Sequence, residues 1–343
     1  MIASSLWWVS FDFVSAPRRL HMCPGLQHGA PDRARGGIPD VSELEVVVVD
    51  DASTDGTLER VRELHDPRIR LYSTSRNLGH SGNSNRSLSL ARGRLIKFLC
   101  ADDVLYPDCL EAMVALFTTH PSIGLVFSLR DVEMEVPDDT AALAWRAKHL
   151  RAHEVFGDFD EVNSGPALVR KWIDSRFARN AVGEPTNVMV TRECLRPVGT
   201  FNLRVRQRAD MDLWVRAMFF HDVGFVGRPL ARYLIRSGSV TNVNRASSLS
   251  WMDRLWFFEG LLSYAEIRNG GWPQLRALRR RAARKCIRHA LRRALGGDAS
   301  RIEALHHYVG FRLRGRARER LYGSLDDQGP PGETREESTL PPS

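Results

Sequence analysis

Cysteine is sparse in this 343-residue chain. The five, Cys23, Cys100, Cys109, Cys194 and Cys286, are scattered and form no Cys-x-x-Cys pair. That argues against a disulfide framework or a structural zinc site and fits a reducing compartment. No apolar run reaches the length of a membrane-spanning helix. The opening, MIASSLWWVSFDFVSAPRRL, is apolar for a few residues only. It lacks the basic segment that precedes the apolar part of a cleaved export signal. No Gly-x-Gly-x-x-Gly follows a strand and no phosphate-loop motif ends in Gly-Lys-Ser/Thr, so nothing supports a dinucleotide or P-loop site. The eleven histidines form no metal-ligand pair, and His306-His307 are expected to face solvent. Acid is missing from one stretch altogether: RALRRRAARKCIRHALRR, Arg276–Arg293, concentrates much of the net charge of +8.

What is present describes a soluble globular chain, 43% hydrophobic and 26% charged. Residues 1–43 are irregular, rich in Pro, Gly and charge around PGLQHGAPDRARGGIPD. Order begins at LEVVVVDD, where Val46–Val49 is the β-branched run of a strand buried on both faces. STDGTLERVRELH then places Leu58, Val61 and Leu64 at helical spacing. RIRLYS, LIKFL and IGLVFS are further strands, with helices in NRSLSLARG and YPDCLEAMVALFTTHP between them. Strands alternating with helices predict an α/β fold with a mostly parallel sheet.

In such sheets ligands bind beyond the carboxyl ends of the strands. Two strands end on acid pairs there, Asp50-Asp51 and Asp102-Asp103. If the strands are parallel neighbours, four carboxyls gather at one edge and repel. A divalent cation, donor groups of a ligand, or basic side chains would each relieve that, and a hard cation prefers oxygen ligands. Helix capping and a simple turn are the structural alternatives.

The segments EVVVVDDASTDGT, RNLGHSGNSNRSLSLARGRLIKFLCADDVLYPDCL, GEPTNVMVTRECLRPVGTFN and ADMDLWVRA resemble, in this order, those of family 2 glycosyltransferases with the GT-A fold. The resemblance runs from about Leu44 to about Thr241. It implies a Rossmann-like sheet with a helical C-terminal extension. It also implies a Mg²⁺- or Mn²⁺-dependent, inverting transfer of sugar from a nucleotide-sugar to a hydroxyl on a glycan or lipid-linked acceptor, in cell-wall or polysaccharide synthesis. On that resemblance Asp51, with Asp50 beside it, contacts the nucleoside. Asp102 and Asp103 hold the metal on the donor diphosphate, Asp103 also reaching the sugar or ribose. Asp210 is the general base. Arg76 and Asn77 either touch the donor or shape the turn before Gly79. Glu184 lies in an acceptor-side segment or a structural loop. Asp212 either serves the site or is a helix-start acid. Arg236 stands where relatives often carry histidine, and Cys100 where many carry an acid. A thiol is a poor ligand for a hard cation, so Cys100 is read as a small side chain at the strand end.

The family's first strand, which usually reads like SVVIPTYN, is not recognisable in residues 1–43. WWVSFDFVSA has strand-like alternation only. A diverged strand or a wrongly chosen start explains this, and loss of a central strand would weaken the donor pocket. The division expected is an irregular segment 1–43 and a glycosyltransferase domain 44–245, its nucleotide-sugar half about 44–130 and its acceptor half about 131–245. A basic helical region 246–323 and a disordered tail 324–343 follow. Trp251, Leu255, Phe258 and Leu262 form a packing stripe in that helical region. The basic helix fits either a solvated face or peripheral contact with the inner face of the membrane, and no nucleic-acid motif accompanies it. The expected location is the cytoplasm. Two other functional readings stay open: an impaired homologue that binds without turnover, and a membrane-surface interaction protein.

Overall fold

The structure is a computed structural model. It describes residues 6–12, 43–134, 143, 146–147, 149–235, 252–269, 272–295 and 334–337. Ten strands form one sheet: β1 (Leu6–Asp12), β2 (Glu43–Asp50), β3 (Ile69–Thr74), β4 (Leu95–Cys100), β5 (Val104–Leu105), β6 (Ile123–Met134), β7 (Val162–Asn163), β8 (Val188–Thr191), β9 (Asp222–Ile235) and β10 (Thr334–Glu337). Their order is β10-β3-β2-β1-β4-β8-β6-β9-β5, with β7 alongside β9.

The helices are α1 (Thr57–Arg62), α2 (Gly79–Leu90), α3 (Cys109–Thr119), α4 (Gly165–Asp174), α5 (Arg192–Val198), α6 (Ala209–Phe220), α7 (Asp253–Asn269) and α8 (Pro273–Leu295). The principal strands β2, β3, β4, β6 and β9 share one direction. Antiparallel strands, notably β1 and β8, are interleaved between them. The α/β expectation therefore holds, with a sheet more mixed than the β-α alternation implied.

Side chains on a strand alternate between faces, and β2 shows the consequence. Val47 and Val49 enter one core cluster with Ile96, Phe98 and Trp214. Val46 and Val48 enter a second, with Leu71, Leu95 and Met113. Both faces are covered by helices, which is why this strand is a continuous valine run rather than an alternating one. The first cluster continues without a break through Leu255, Phe257, Phe258 and Leu261 of α7 to Leu275, Ala282 and Cys286 of α8. Leu255, Phe258 and Leu262 thus pack as expected; Trp251 lies outside the described residues.

Two terminal segments correct the sequence reading. Residues 6–12, within the segment read as irregular, form β1, which lies between β2 and β4 and runs antiparallel to both. Seven residues suffice to match the lengths of β2 and β4, and the aromatic, β-branched content suits a strand. Thr334–Glu337, within the stretch read as a disordered tail, pairs antiparallel with β3 at the sheet edge. The open ladder of β3 supplies the partner that a polar tetrapeptide lacks on its own. The four described cysteines are free.

Candidate functional site

β2 and β4 both deliver their acids to the carboxyl edge, but the two pairs have separate surroundings. β1 stands between the strands, so the four carboxyls do not gather as parallel neighbours would place them.

Asp51 is fully buried. Its Oδ1 accepts from Leu78 N at 2.6 Å and its Oδ2 from Gly79 N at 3.0 Å. These are N–H groups at the start of α2, which a carboxylate satisfies and whose helix dipole favours it. Burial nevertheless pushes the Asp51 carboxyl up, against those backbone hydrogen bonds. Asp50, 1% exposed, accepts from Ser53 N at 2.9 Å and from the Ser53 hydroxyl. Asn77 closes the turn: its Oδ1 accepts from Gly79 N at 3.0 Å and its Nδ2 donates to the Asp51 carbonyl at 3.3 Å. Arg76 is exposed, and its carbonyl accepts from Thr74 Oγ1 at 2.9 Å. This segment is a turn in which Asp51 holds the start of α2 against β2 and Asp50 holds the loop after β2. Asn83 Nδ2 reinforces it, donating to Val49 O at 2.9 Å.

The second acid pair is built differently. After β4 the chain turns through a bond from Asp103 N to Cys100 O at 3.1 Å. Asp102 is half-exposed at that turn and Asp103 is buried. Thr186 Oγ1 donates to Asp103 Oδ2 at 2.5 Å and accepts from Cys100 N at 3.0 Å. Leu234 N, near the end of β9, donates to Asp103 Oδ1 at 3.1 Å. Burial pushes the Asp103 carboxyl up to about 7, and the charges of Asp102 and Glu184 add to the rise. Cys100 is half-buried against the core, with its thiol pushed well up by burial, which fits the small strand-end side chain expected of it. Tyr233 overlooks the same acids, and burial first, then their charges, keeps its phenol protonated.

Beneath this turn, Lys97 on β4 is wholly buried. Its ammonium donates to the carbonyls of Thr186 and, at 3.4 Å, Val188. Burial lowers its pKa. The lysine thereby anchors the segment that carries Thr186.

Asp210 begins α6. Asn180 Nδ2 donates to its Oδ2 at 2.6 Å, and Met211 N to its Oδ1 at 2.7 Å. Burial pushes the Asp210 carboxyl up to about 7; the Met211 N–H opposes the rise, the charge of Glu184 adds to it, and that of Arg208 opposes it. Asn180 is itself held: its Nδ2 donates to Gly183 O at 2.9 Å and its Oδ1 accepts from Gly183 N at 3.1 Å. Trp214 Nε1 donates to the same Gly183 carbonyl at 3.1 Å, and the Trp214 ring packs edge-on to Phe98 of β4, centroids 5.4 Å apart. Strand, helix and loop are thus interlocked behind the carboxylate.

Glu184 lies against the buried Arg130, Nε to Oε2 being 2.7 Å. Because its charge is felt by both Asp103 and Asp210, Glu184 links the two acid centres. Asp212 is a buried partner of Arg216 one helical turn on, at 2.8 Å. Arg216 also donates to Thr200 O at 2.8 Å and to Val198 O. Asp212 is therefore structural, tying α6 to the loop ahead of it rather than facing the site. Arg236 lies outside the described residues.

Sequence reading missed Asn180, Thr186, Lys97, Arg130 and Tyr233. Thr186 is the last residue of the GEPT segment and Asn180 lies three residues ahead of it, and that proximity was the one available signal. The others come from separate strands.

The acids suit a hard cation shared with a ligand. Among the described residues no group of three or more His, Cys, Asp or Glu side chains forms a metal cage. Mg²⁺ and Mn²⁺ sites on diphosphates often use one or two carboxylates, with phosphate and water completing the shell. Adjacent Asp102 and Asp103 offer carboxylates of that kind; burial, ahead of the charges of Asp102 and Glu184, raises the Asp103 carboxyl. A cavity of about 1070 Å³ opens at the opposite, amino-terminal edge of the sheet, among Arg94, Arg192, Phe220 and His221, away from these acids.

Residues 34–174 match the model of the family described as glycosyl transferase family 2. An uncharacterized protein of Mycobacterium tuberculosis, MT1568, is 35% identical over 189 residues, covering 55% of this chain and 57% of that protein. The succinoglycan biosynthesis protein ExoO of Rhizobium meliloti is 46% identical over 71 residues, 21% of this chain and 20% of that protein. The chain thus spans a little over half of the first relative and a fifth of the second. A solved mannosyltransferase from Pyrobaculum calidifontis, in complex with GDP-Man and Mn²⁺, superposes with a TM-score of 0.40 at 18% identity, covering 78% of this chain and 71% of that one. The acid pairs after β2 and β4 thus lie inside the segment that matches glycosyl transferase family 2, and Asp210 lies beyond it.

Proposed function

We propose that the chain is an inverting, metal-dependent glycosyltransferase. It moves a sugar from a nucleotide-sugar, UDP-linked in our reading, to a hydroxyl on a glycan or lipid-linked acceptor in polysaccharide assembly. The observation that carries this is the Asp210 carboxyl. It is oriented by Asn180 and raised to about 7, where a general base works best near neutral pH.

In this reading Asp210 accepts the proton of the acceptor hydroxyl as that oxygen attacks the anomeric carbon. Asn180 fixes which carboxylate oxygen is turned toward the acceptor. Asp102 and Asp103 would hold Mg²⁺ or Mn²⁺, which supplies Lewis-acid stabilisation of the departing diphosphate. Thr186 and Leu234 fix the Asp103 carboxylate. Asp51 and Asp50 meet the nucleoside, with Arg76 beside them; engaging it requires Asp51 to share or exchange its bonds at the start of α2.

A second reading is favoured by Cys100 and by the reversed direction of β1: an impaired homologue that binds nucleotide without turnover. Titration calorimetry with UDP, GDP and dTDP, in Mn²⁺ and then in chelator, tests donor binding. Metal-dependent binding of one nucleotide, lost in Asp102→Ala, is the expected result. Product formation with the matching nucleotide-sugar, lost in Asp210→Asn with nucleotide binding retained, then separates the enzyme from the impaired homologue. A folded protein that binds none of the three overturns the donor site.

A further inference from the structure

α8 presents one face to the protein and another to its surroundings. The inward face is fixed. Leu275, Ala282 and Cys286 are buried in the shared core, and Arg279 Nε meets Glu259 Oε1 of α7 at 2.6 Å. Ahead of the helix, Trp272 packs on Phe219 of α6, centroids 5.4 Å apart. These contacts set the rotation of the helix, and with it what is left outside.

Arg276, Arg280, Arg281, Arg284, Lys285 and Arg288 are exposed, and so are the apolar Ile287 and Leu291, at 40% and 55%. At 100° per residue, Arg276, Arg280, Ile287, Leu291, Arg284 and Arg288 fall on one continuous arc. Ile287 and Leu291, one turn apart, sit inside the arginine field. The whole helix contains no Asp or Glu. The face thus combines charge of one sign with two exposed aliphatics at its centre. Basic side chains around a small apolar centre match the headgroup and upper acyl region of an anionic bilayer, where arginine chains extend toward phosphate while aliphatics enter the interface.

We propose that the exposed face of α8, centred on Arg280, Arg284, Ile287, Arg288 and Leu291, docks the protein on the surface of an anionic lipid bilayer. The inference stands on this face alone and does not depend on the glycosyl-transfer reading.

Sedimentation of the full chain with phosphatidylcholine vesicles, with and without phosphatidylglycerol, tests it. Expected is at least a tenfold stronger partition onto the anionic vesicles, falling as salt rises. Arg280→Glu/Arg284→Glu/Arg288→Glu should remove that preference. Ile287→Ser/Leu291→Ser should lower partition severalfold while leaving the steepness of the salt dependence intact, since charge is unchanged. Circular dichroism verifies that both variants remain folded. Equal partition onto both vesicle types, or partition unmoved by either folded variant, overturns the proposal. So does tight binding to a random-sequence DNA duplex with no partition onto vesicles. Nucleotide binding by calorimetry reads the donor site separately, so loss of one result does not carry the other with it.

Discussion

Asp210 carries opposing demands that fix its pH behaviour. As a base it must be ionised, and burial with the Glu184 charge holds its proton on up to about 7. The rate should therefore fall on the acid side with a midpoint near that value. Glu184→Gln removes a charge that raises the midpoint, so the limb should move to lower pH. Asn180→Ala removes a donor to the carboxylate, so the limb should move up while kcat falls. A pH profile of kcat/KM reads both; limbs unmoved in both variants would take Asp210 out of the base role. Stability has its own sign. The folded pKa lies above the ordinary 3.8, so the contribution is full below 3.8 and is lost as pH rises through about 7. Asp210→Asn should accordingly raise Tm more at pH 8 than at pH 5, which thermal melts at both values measure.

Gly183 shows the same economy at the level of a loop. Its φ of +107° suits glycine, and a Cβ there would lie 2.6 Å from Asn187 Nδ2 and 2.7 Å from Arg130 Nη1. Its carbonyl accepts from both Asn180 and Trp214. Gly183→Ala should cost about 1–3 kcal/mol in strain and lower kcat at least tenfold by shifting Asn180, with nucleotide affinity nearly unchanged. Melts, kinetics and calorimetry separate those effects. The elements around this loop differed in legibility. β2, β3 and β4 were plain in the sequence because buried β-branched runs ending on acids have few other readings. β9 was not: Gly224, Gly227 and Pro229 interrupt its pattern, and its pairing with β6 shifts register along its length. β1 was hidden because seven residues of aromatic alternation carry no partner information. The site acids were legible as types at strand and helix ends. Their supports Thr186, Asn180, Lys97 and Arg130 were not, because each acts through a contact far along the chain.

The whole molecule is more unified than its sequence segments suggest. The core behind the site runs from β2 and β4 through α6 into α7 and α8. Asp253, at the start of α7, accepts from Arg206 N at 2.5 Å and Gln207 N at 3.1 Å, just ahead of the Asp210 helix. A chain ended at residue 245 would uncover Phe177, which packs on Phe257 and Phe258, and Phe219, which packs on Trp272, and would release that loop. It should not fold cooperatively, losing a sharp thermal transition and gaining binding of a hydrophobic dye; a sharp transition in the truncated chain would show that the helices are dispensable.

The pairing of β10 with β3 sets a timetable for synthesis. Residues 69–74 leave the ribosome about 260 residues ahead of the strand that covers their outer edge. At roughly 5–20 residues per second that is a wait of about 13–50 s. Through that interval the nascent sheet has an open ladder, and whatever keeps other chains from it must act before translation ends.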